Sequence, residues 1–304
     1  MDEFRRIARL KHAFSSESEQ IRLGIGDDAA ILRLAGDVVI STDASNENVH
    51  FRRSFGSLRR IGRRAFHAAA SDLAAMGATG ACAFASLALP RGLADEDFDS
   101  LIEGLRLGAR ELSMPIAGGN LAAASEIGIT LTVVGTCGPK PLTRSGARPG
   151  DGVYVSGTVG GAALSLRRLL RDEPNDSMPW FEIRARFDIA RSIAEVATAC
   201  IDVSDGLAAD LGHLLESSGV GTTVDVDAIP IPDAFESACD AETLDWFELA
   251  FSGGEDYELC FTSAHDLSSI ATRIGTIEPS PGLRVRRGDS VEAVVPRGHR
   301  HFVD

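Results

Sequence analysis

Apolar residues recur along this chain in two rhythms, one of about three to four residues and one of two or of unbroken short runs. In MDEFRRIARLKHAF, residues Phe4, Ile7, Ala8 and Leu10 alternate with Arg and Lys and predict an amphipathic N-terminal helix. VVIST at 38–42 predicts a strand ending at Asp43. LRRIGRRAFHAAASDLAAMGA at 58–78 has helical periodicity, and Gly77 suits its C-terminus. ACAFASLAL at 81–89 reads as a buried strand closed by Pro90. Phe98, Leu101, Leu105 and Ala109 share one face of a helix over 95–112, and ITLTVVGTC at 129–137 follows IAGGNL as another strand.

Gly, Pro and basic residues then concentrate in GPKPLTRSGARPG at 138–150, the best candidate for a boundary. The chain is expected to divide into an N-terminal domain over 1–138 and a C-terminal domain over 139–304. A second αβ pattern follows: GVYVSG as a strand, GGAALSLRRLL as a helix, DEPNDSMP as a polar turn, PWFEIRARFDIARSIAEVATA at 179–199 as a helical stretch, and GTTVDV and YELCFT as strands. The residues after 263 yield no element by pattern.

The bulk numbers narrow the function. With 304 residues, 44% hydrophobic, the chain has apolar material for ordinary globular cores. A net charge of −14 argues against binding an extended phosphate backbone, so no nucleic-acid partner is expected, although a cation can still bring a small phosphorylated ligand to an acidic pocket. There is no apolar run of 18 residues, so no membrane span is expected, and the N-terminus is too short and charged for a signal peptide; the expected compartment is the cytoplasm. The five widely spaced cysteines contain no C-x-x-C and read as small buried residues.

Carboxylates are the residues that carry chemistry. Asp27, Asp28, Asp43, Asp72, Asp202 and Asp205 all fall at predicted turns or element ends beside apolar segments. One such aspartate is usually a cap or a turn residue. Six of them in Gly-, Ser- and Thr-rich contexts point instead to a shared cation, because clustered carboxylates repel unless one neutralises them. Mg²⁺ suits hard oxygen donors and leaves positions for water and phosphate oxygens, and Ser41 and Thr42 offer further oxygens beside Asp43. Competing chemistries lack their motifs: there is no G-x-x-x-x-G-K-S/T, no H-E-x-x-H and no G-x-S-x-G, and the glycines at 157, 160 and 161 have the wrong spacing for a dinucleotide loop. Arg144 and Arg148 form a basic island in an acidic chain, suited either to solvent or to phosphate oxygens.

Taken together and in order, EFRRIARL, GIGDDAAIL, STD with NVHF, SDLAAMGA, LTRSGARPGD, IDVSDGLAADLGHL and SGGEDYELCF resemble the thiamine-monophosphate kinase family, within the group related to aminoimidazole-ribonucleotide synthetase. The resemblance implies an α/β chain of two domains. The N-terminal one would hold a mixed sheet that pairs across a homodimer, and the C-terminal α/β one would complete the ATP and acceptor site. It implies Mg²⁺- and ATP-dependent phosphoryl transfer to thiamine monophosphate. It further implies that Asp28, Ser41, Thr42, Asp43, Asp72, Asp202 and Asp205 hold metal, with Asp72 and Asp205 serving catalysis most directly; that Gly119, Asn120, Arg144 and Ser204 contact ATP; and that His50, Glu255 and His299 contact the acceptor.

The chain departs from the family pattern in several places. Asn120 stands in GGNL where the family has a metal-binding aspartate, so one cation is expected to bind more weakly or be lost. His299 stands where the family has a larger aromatic ring, and imidazole offers a smaller stacking face. EIRAR at 182–186 keeps only Arg186 of a Pro-rich motif, and Ala70 replaces an asparagine. Two further readings therefore stay open: a related ATP-dependent kinase or ligase for another small phosphorylated acceptor, and a nucleotide-binding paralogue with little catalysis.

Overall fold

The computed structural model describes residues 3–14, 18–25, 29–173 and 179–299. The chain folds as two compact units, Met1–Leu73 with Ala78–Pro139 and Asp172–Asp176, and Ala74–Gly77 with Lys140–Arg171 and Ser177–Asp304.

The first unit contains α1 (Glu3–Ala13), a hairpin of β1 (Ile21–Leu23) and β2 (Ile31–Leu32), then β3 (Asp37–Asn46), α2 (Leu58–Ala75), β4 (Thr79–Pro90), α3 (Asp95–Glu111), β5 (Ile116–Ala124) and β6 (Gly128–Cys137). Its main sheet runs β3-β6-β4-β5. The β3/β6 and β4/β6 pairs are antiparallel, whereas β4 and β5 are parallel because α3 carries the chain back between them. Side chains alternate across this sheet as the pleat requires. Leu131, Val133, Ala85, Leu87 and Leu89 are buried on one face. The other face presents Val38, Ile40, Thr42, Thr132, Ser86 and Asn120, aligned by the pairings Thr42↔Thr132 and Ser86↔Asn120. Val38 and Ile40 are 47% and 62% exposed. The β1–β2 hairpin covers part of that face, with Ile21 and Leu32 packed against Cys82, Ala117 and Val134.

β3 does not stop at Asp43. Its ladder with β6 continues to Asn46↔Gly128, so Asp43 lies within the strand, opposite Leu131. The Gly77 backbone adopts φ +66 just past α2, the expected terminus.

The second unit contains β7 (Gly152–Val155), α4 (Gly161–Leu170), α5 (Phe187–Ile193), β8 (Ala197–Val203), α6 (Leu207–Ser218), β9 (Gly221–Asp225), α7 (Phe235–Ala241), α8 (Trp246–Ser252), β10 (Glu258–Ser263), β11 (Thr272–Glu278), β12 (Gly282–Arg287) and β13 (Ser290–Val294). Seven strands form one sheet in the order β13-β12-β9-β11-β7-β10-β8, antiparallel except for β9 with β12. Val153, Val155, Ile201, Val203 and Val224 pack with Leu207, Leu211 and Leu214 of α6 in its larger core. Tyr154, Cys200, Leu259 and Phe261 pack in a second cluster with Ile193 of α5.

The helix expected over 179–199 is corrected here. A 3₁₀ turn at Pro179–Phe181 is followed by an irregular stretch, α5 is only seven residues long, and Ala197 already belongs to β8. The reason lies in burial. Phe181, Ile183 and Ala185 are buried while Glu182 and Arg184 are exposed, a two-residue alternation that a helix cannot satisfy. Arg186 is in turn drawn to the Glu258 carboxylate. All five cysteines are free thiols, four of them buried and Cys137 half-buried.

Candidate functional site

In the first unit, β3 and α2 bring together part of the predicted set. Ser41 and Asp43 are two residues apart and share a strand face. The Ser41 hydroxyl donates to the Asp72 carboxylate, on α2. The Asp43 carboxylate accepts the Ala44 N–H at 2.8 Å. Thr42 points the other way: its hydroxyl lies 2.9 Å from that of Thr132, on the opposite face, part of which the β1–β2 hairpin covers. Asn120 is exposed on that same face, one strand beyond Ser86 and two beyond Thr132. The side chains of Thr42 and Asn120 are therefore separated by the sheet from Ser41 and Asp43. Gly119 sits where β5 passes close to β4: a Cβ there would lie 1.9 Å from the Ala85 carbonyl oxygen, so no larger residue fits without moving a strand.

His50 follows β3 in a tight turn. The Asn46 carbonyl accepts from the Val49 and His50 N–H groups, and the Asn46 N–H donates to His50 Nδ1 at 3.0 Å. That bond places the proton of the neutral imidazole on Nε2, which becomes its donor. Asp28 lies outside the described residues.

In the second unit, the candidates converge on one turn between β8 and α6. Asp202 is 5% exposed near the end of β8, and Ser204, Asp205 and Gly206 follow. Gly206 has φ +120, and a Cβ there would lie 2.7 Å from the Ser252 carbonyl oxygen, so the turn depends on glycine. The Ser204 carbonyl accepts the Glu255 N–H at 2.8 Å, and the Asp205 carbonyl accepts the His299 N–H at 3.0 Å. Main-chain bonds thus tie Glu255 and His299 to Ser204 and Asp205. Glu255 itself has φ +75, a rare backbone for a side chain of that size, and its carboxylate accepts the Trp180 indole N–H at 2.8 Å. Arg144 is placed differently. Its carbonyl accepts the Ser218 hydroxyl at the far end of α6, and that helix of twelve residues is about 18 Å long.

Residues that pattern reading passed over organise this unit. Asp210, 3% exposed in the first turn of α6, accepts the N–H groups of Ser204, Asp205 and Gly206 at 3.0, 3.0 and 3.1 Å, all through one oxygen. Burial, then repulsion from Asp202 and Asp205, pushes its carboxyl up to about 7 against those donors. Asp256 does similar work at the start of α4, accepting from Gly160 and Ala162 at 2.8 and 3.2 Å, and burial pushes it up to about 7 as well. Glu258 is held by the Ser156 hydroxyl and Arg186. The three acidic residues Glu255, Asp256 and Glu258 thus have three separate sets of partners within four positions. The available signal for Asp210 was only an acid four residues after Gly206 in an apolar stretch, a position that in a helix usually marks a favourable dipole contact.

The donors suit Mg²⁺. Ser41, Asp43 and Asp72 in one unit and Asp202 and Asp205 in the other offer hard oxygens and no thiolate. Among the described residues no three His, Cys, Asp or Glu side chains close around a point. A dedicated all-protein cage is therefore not built by them, and none is required, because Mg²⁺ is commonly held by one or two carboxylates with phosphate and water completing its shell.

The two units match the AIR synthase related proteins: the model of their N-terminal domain matches residues 26–137 and that of their C-terminal domain matches residues 148–287. Within that class, the thiamine-monophosphate kinase of Rhodopirellula baltica is 34% identical, covering 93% of this chain and 92% of its own. The crystal structure of thiamine-monophosphate kinase from Stenotrophomonas maltophilia K279a superposes with a TM-score of 0.83 at 32% identity, covering 94% of this chain and 96% of the other. A structure of AaThiL complexed with AMPPCP and TMP gives a TM-score of 0.80 at 32% identity, covering 99% and 97%. The chain belongs to the thiamine-monophosphate kinase family. No helix among the described residues is long and apolar enough to cross a membrane.

Proposed function

We propose that this chain transfers the γ-phosphoryl group of ATP to the phosphate of thiamine monophosphate, giving thiamine diphosphate and ADP. The observation that carries the reading is the match, over nearly the whole of both chains, to a protein solved with AMPPCP and TMP. In the step, an acceptor phosphate oxygen forms the new bond to the γ-phosphorus while the bond to the β–γ bridging oxygen breaks and ADP leaves. The acceptor oxygen is already ionised near neutral pH, so the protein needs no general base; positioning and charge neutralisation dominate.

Mg²⁺, when bound, would offset the negative charge that builds on the phosphate oxygens. Ser41, Asp43, Asp72, Asp202 and Asp205 are the proposed holders of cation, together with Asp28; Thr42 joins them only by way of its main chain or the opposite face. Ser204, Gly119, Asn120 and Arg144 are proposed to meet the nucleotide. His50, Glu255 and His299 are proposed to meet the acceptor, Glu255 through a carboxylate held by Trp180 and His299 from a backbone tied to Asp205.

A homodimer belongs to this proposal. The sheet face bearing Val38, Ile40, Thr42, Thr132 and Ser86 carries no charge at these positions, and its two exposed aliphatic residues favour a second copy of the same face. One preparation tests the whole reading. Incubated with Mg-ATP and thiamine monophosphate it is expected to yield thiamine diphosphate, and by sedimentation it is expected to run as a dimer. Nucleotide binding without that product would remove thiamine monophosphate as acceptor and favour another small phosphate, in keeping with Asn120 and His299; a monomer at micromolar concentration would remove the homodimer.

A further inference from the structure

Asp210 takes the N–H of Gly206, the N-cap of α6, as a capping-box side chain does, but its other two donors lie before the cap. A helix cap satisfies the N–H groups of the N-cap and the first helical turn. The N–H groups that Asp210 binds belong to Ser204, Asp205 and Gly206, which precede α6 (Leu207–Ser218). The carboxylate reaches backwards from inside the helix and gathers three consecutive turn amides on one oxygen. The same turn is held from outside by the Glu255 N–H on the Ser204 carbonyl and the His299 N–H on the Asp205 carbonyl. Its amides are thereby occupied, so a ligand can engage the turn through the side chains of Ser204 and Asp205 but not through these N–H groups.

We propose that Asp210 is a positioning residue: by fixing the amides of Ser204, Asp205 and Gly206 it sets the direction in which Ser204 and Asp205 present their side chains to nucleotide and cation, a role that rests on the phosphoryl-transfer reading above. The three described hydrogen bonds of its carboxylate all go to main-chain amides. Removing it frees three amides and lets the turn rotate, and outer partners of metal-holding groups act strongly at such distances.

The test uses the full chain as wild type, Asp210→Ala, Asp210→Asn and, as a control for simple capping, Asp245→Ala. Asp245 is a conventional cap, accepting from Phe247 and Glu248 at the start of α8. Binding of Mn²⁺ in the presence of AMPPCP, read by electron paramagnetic resonance, needs no turnover; kcat and the melting temperature are measured alongside. Asp210→Ala is expected to raise the Mn²⁺ dissociation constant about tenfold and to lower kcat about 10²-fold. Asp210→Asn keeps an acceptor oxygen and is expected to recover most of the loss, remaining about threefold weaker in Mn²⁺. Asp245→Ala is expected to lower the melting temperature and leave both ligand readouts in place. Wild-type Mn²⁺ affinity and kcat in Asp210→Ala, well below its melting temperature, would overturn the proposal. Should Asp210→Ala not fold, a wild-type Mn²⁺ dissociation constant in Asp210→Asn overturns it equally. Failure of the wild type to make thiamine diphosphate overturns the functional reading and this role with it, whereas a productive wild type with unmoved variants overturns this role alone.

Discussion

The two acidic clusters, one in each unit, are built on opposite principles. In the first unit, side chains are aimed by the pleat of one strand: Ser41 and Asp43 go one way, to where Asp72 waits on α2, and Thr42 goes the other, to Thr132. In the second unit, aim comes from the main chain, with Asp210 on the amides of the turn and Glu255 and His299 on its carbonyls. A pleat aims every residue of a strand at once and costs no dedicated partner. A turn has no repeating geometry, so each bond that fixes it must come from a residue elsewhere in the fold. The first half should therefore fail only when a ligand itself is changed, and the second when any of several remote partners is.

The largest effect expected is in the first half. Asp72→Asn should lower turnover at least about 10²-fold while leaving the melting temperature close to wild type, since its one described partner is a serine hydroxyl. Near-normal formation of thiamine diphosphate by that variant would break the comparison, because a half aimed by the pleat would then contain no essential ligand.

A remote partner in the second half gives the next effect. Burial pushes the Glu258 carboxyl up, and Arg186 counteracts it. Arg186→Ala would leave a largely buried carboxylate uncompensated and should destabilise by about 3 kcal/mol in urea unfolding. Pairing it with Glu258→Gln should restore much of that loss; an Arg186→Ala variant as stable as wild type would show that this pair does not hold the unit together.

A third effect, spread over about three pH units, is one of pH. The Asp256 carboxyl sits at about 7 in the folded chain, above its ordinary value near 4. A raised folded value means that the folded state holds the proton more tightly, so the stability it contributes is complete below about pH 4 and is lost as pH rises through about 7. Stability should fall by at most about 1.4 kcal/mol per pH unit across that window from this group. Asp256→Asn should flatten the pH dependence of the melting temperature there; an unchanged slope would assign it to other groups.

Much of the fold was legible because it rests on long apolar periods. The helices over 58–75 and 95–111 and the strands over 79–90 and 128–137 bury residues at the spacing their sequence displays. The segment 179–199 misled because Ala, Arg and Glu favour a helix locally, while burial of Phe181, Ile183 and Ala185 and the pull of Glu258 on Arg186 are tertiary effects. Strands β11 to β13 were illegible for a related reason: they are half-exposed, and their order comes from pairing with β7 and β9, far back in the chain. In the site, the residue types were legible and the aim was not. Nothing in the letters of STD separates Thr42 from its neighbours until the strand face is known, and nothing in DGLAAD shows that Asp210 reaches backwards beyond the cap of its own helix.

The thiols turn the division of the chain into something that can be clocked. Cys82 is sealed in the first unit, where burial raises its thiol to about 11, and Cys200, Cys239 and Cys260 are sealed in the second. A buried, protonated thiol reacts with an alkylating reagent only when the structure around it opens. Labelling at Cys82 therefore times the opening of one unit and labelling at Cys260 that of the other, so that a natural, unmodified chain carries a separate stopwatch for each of its halves.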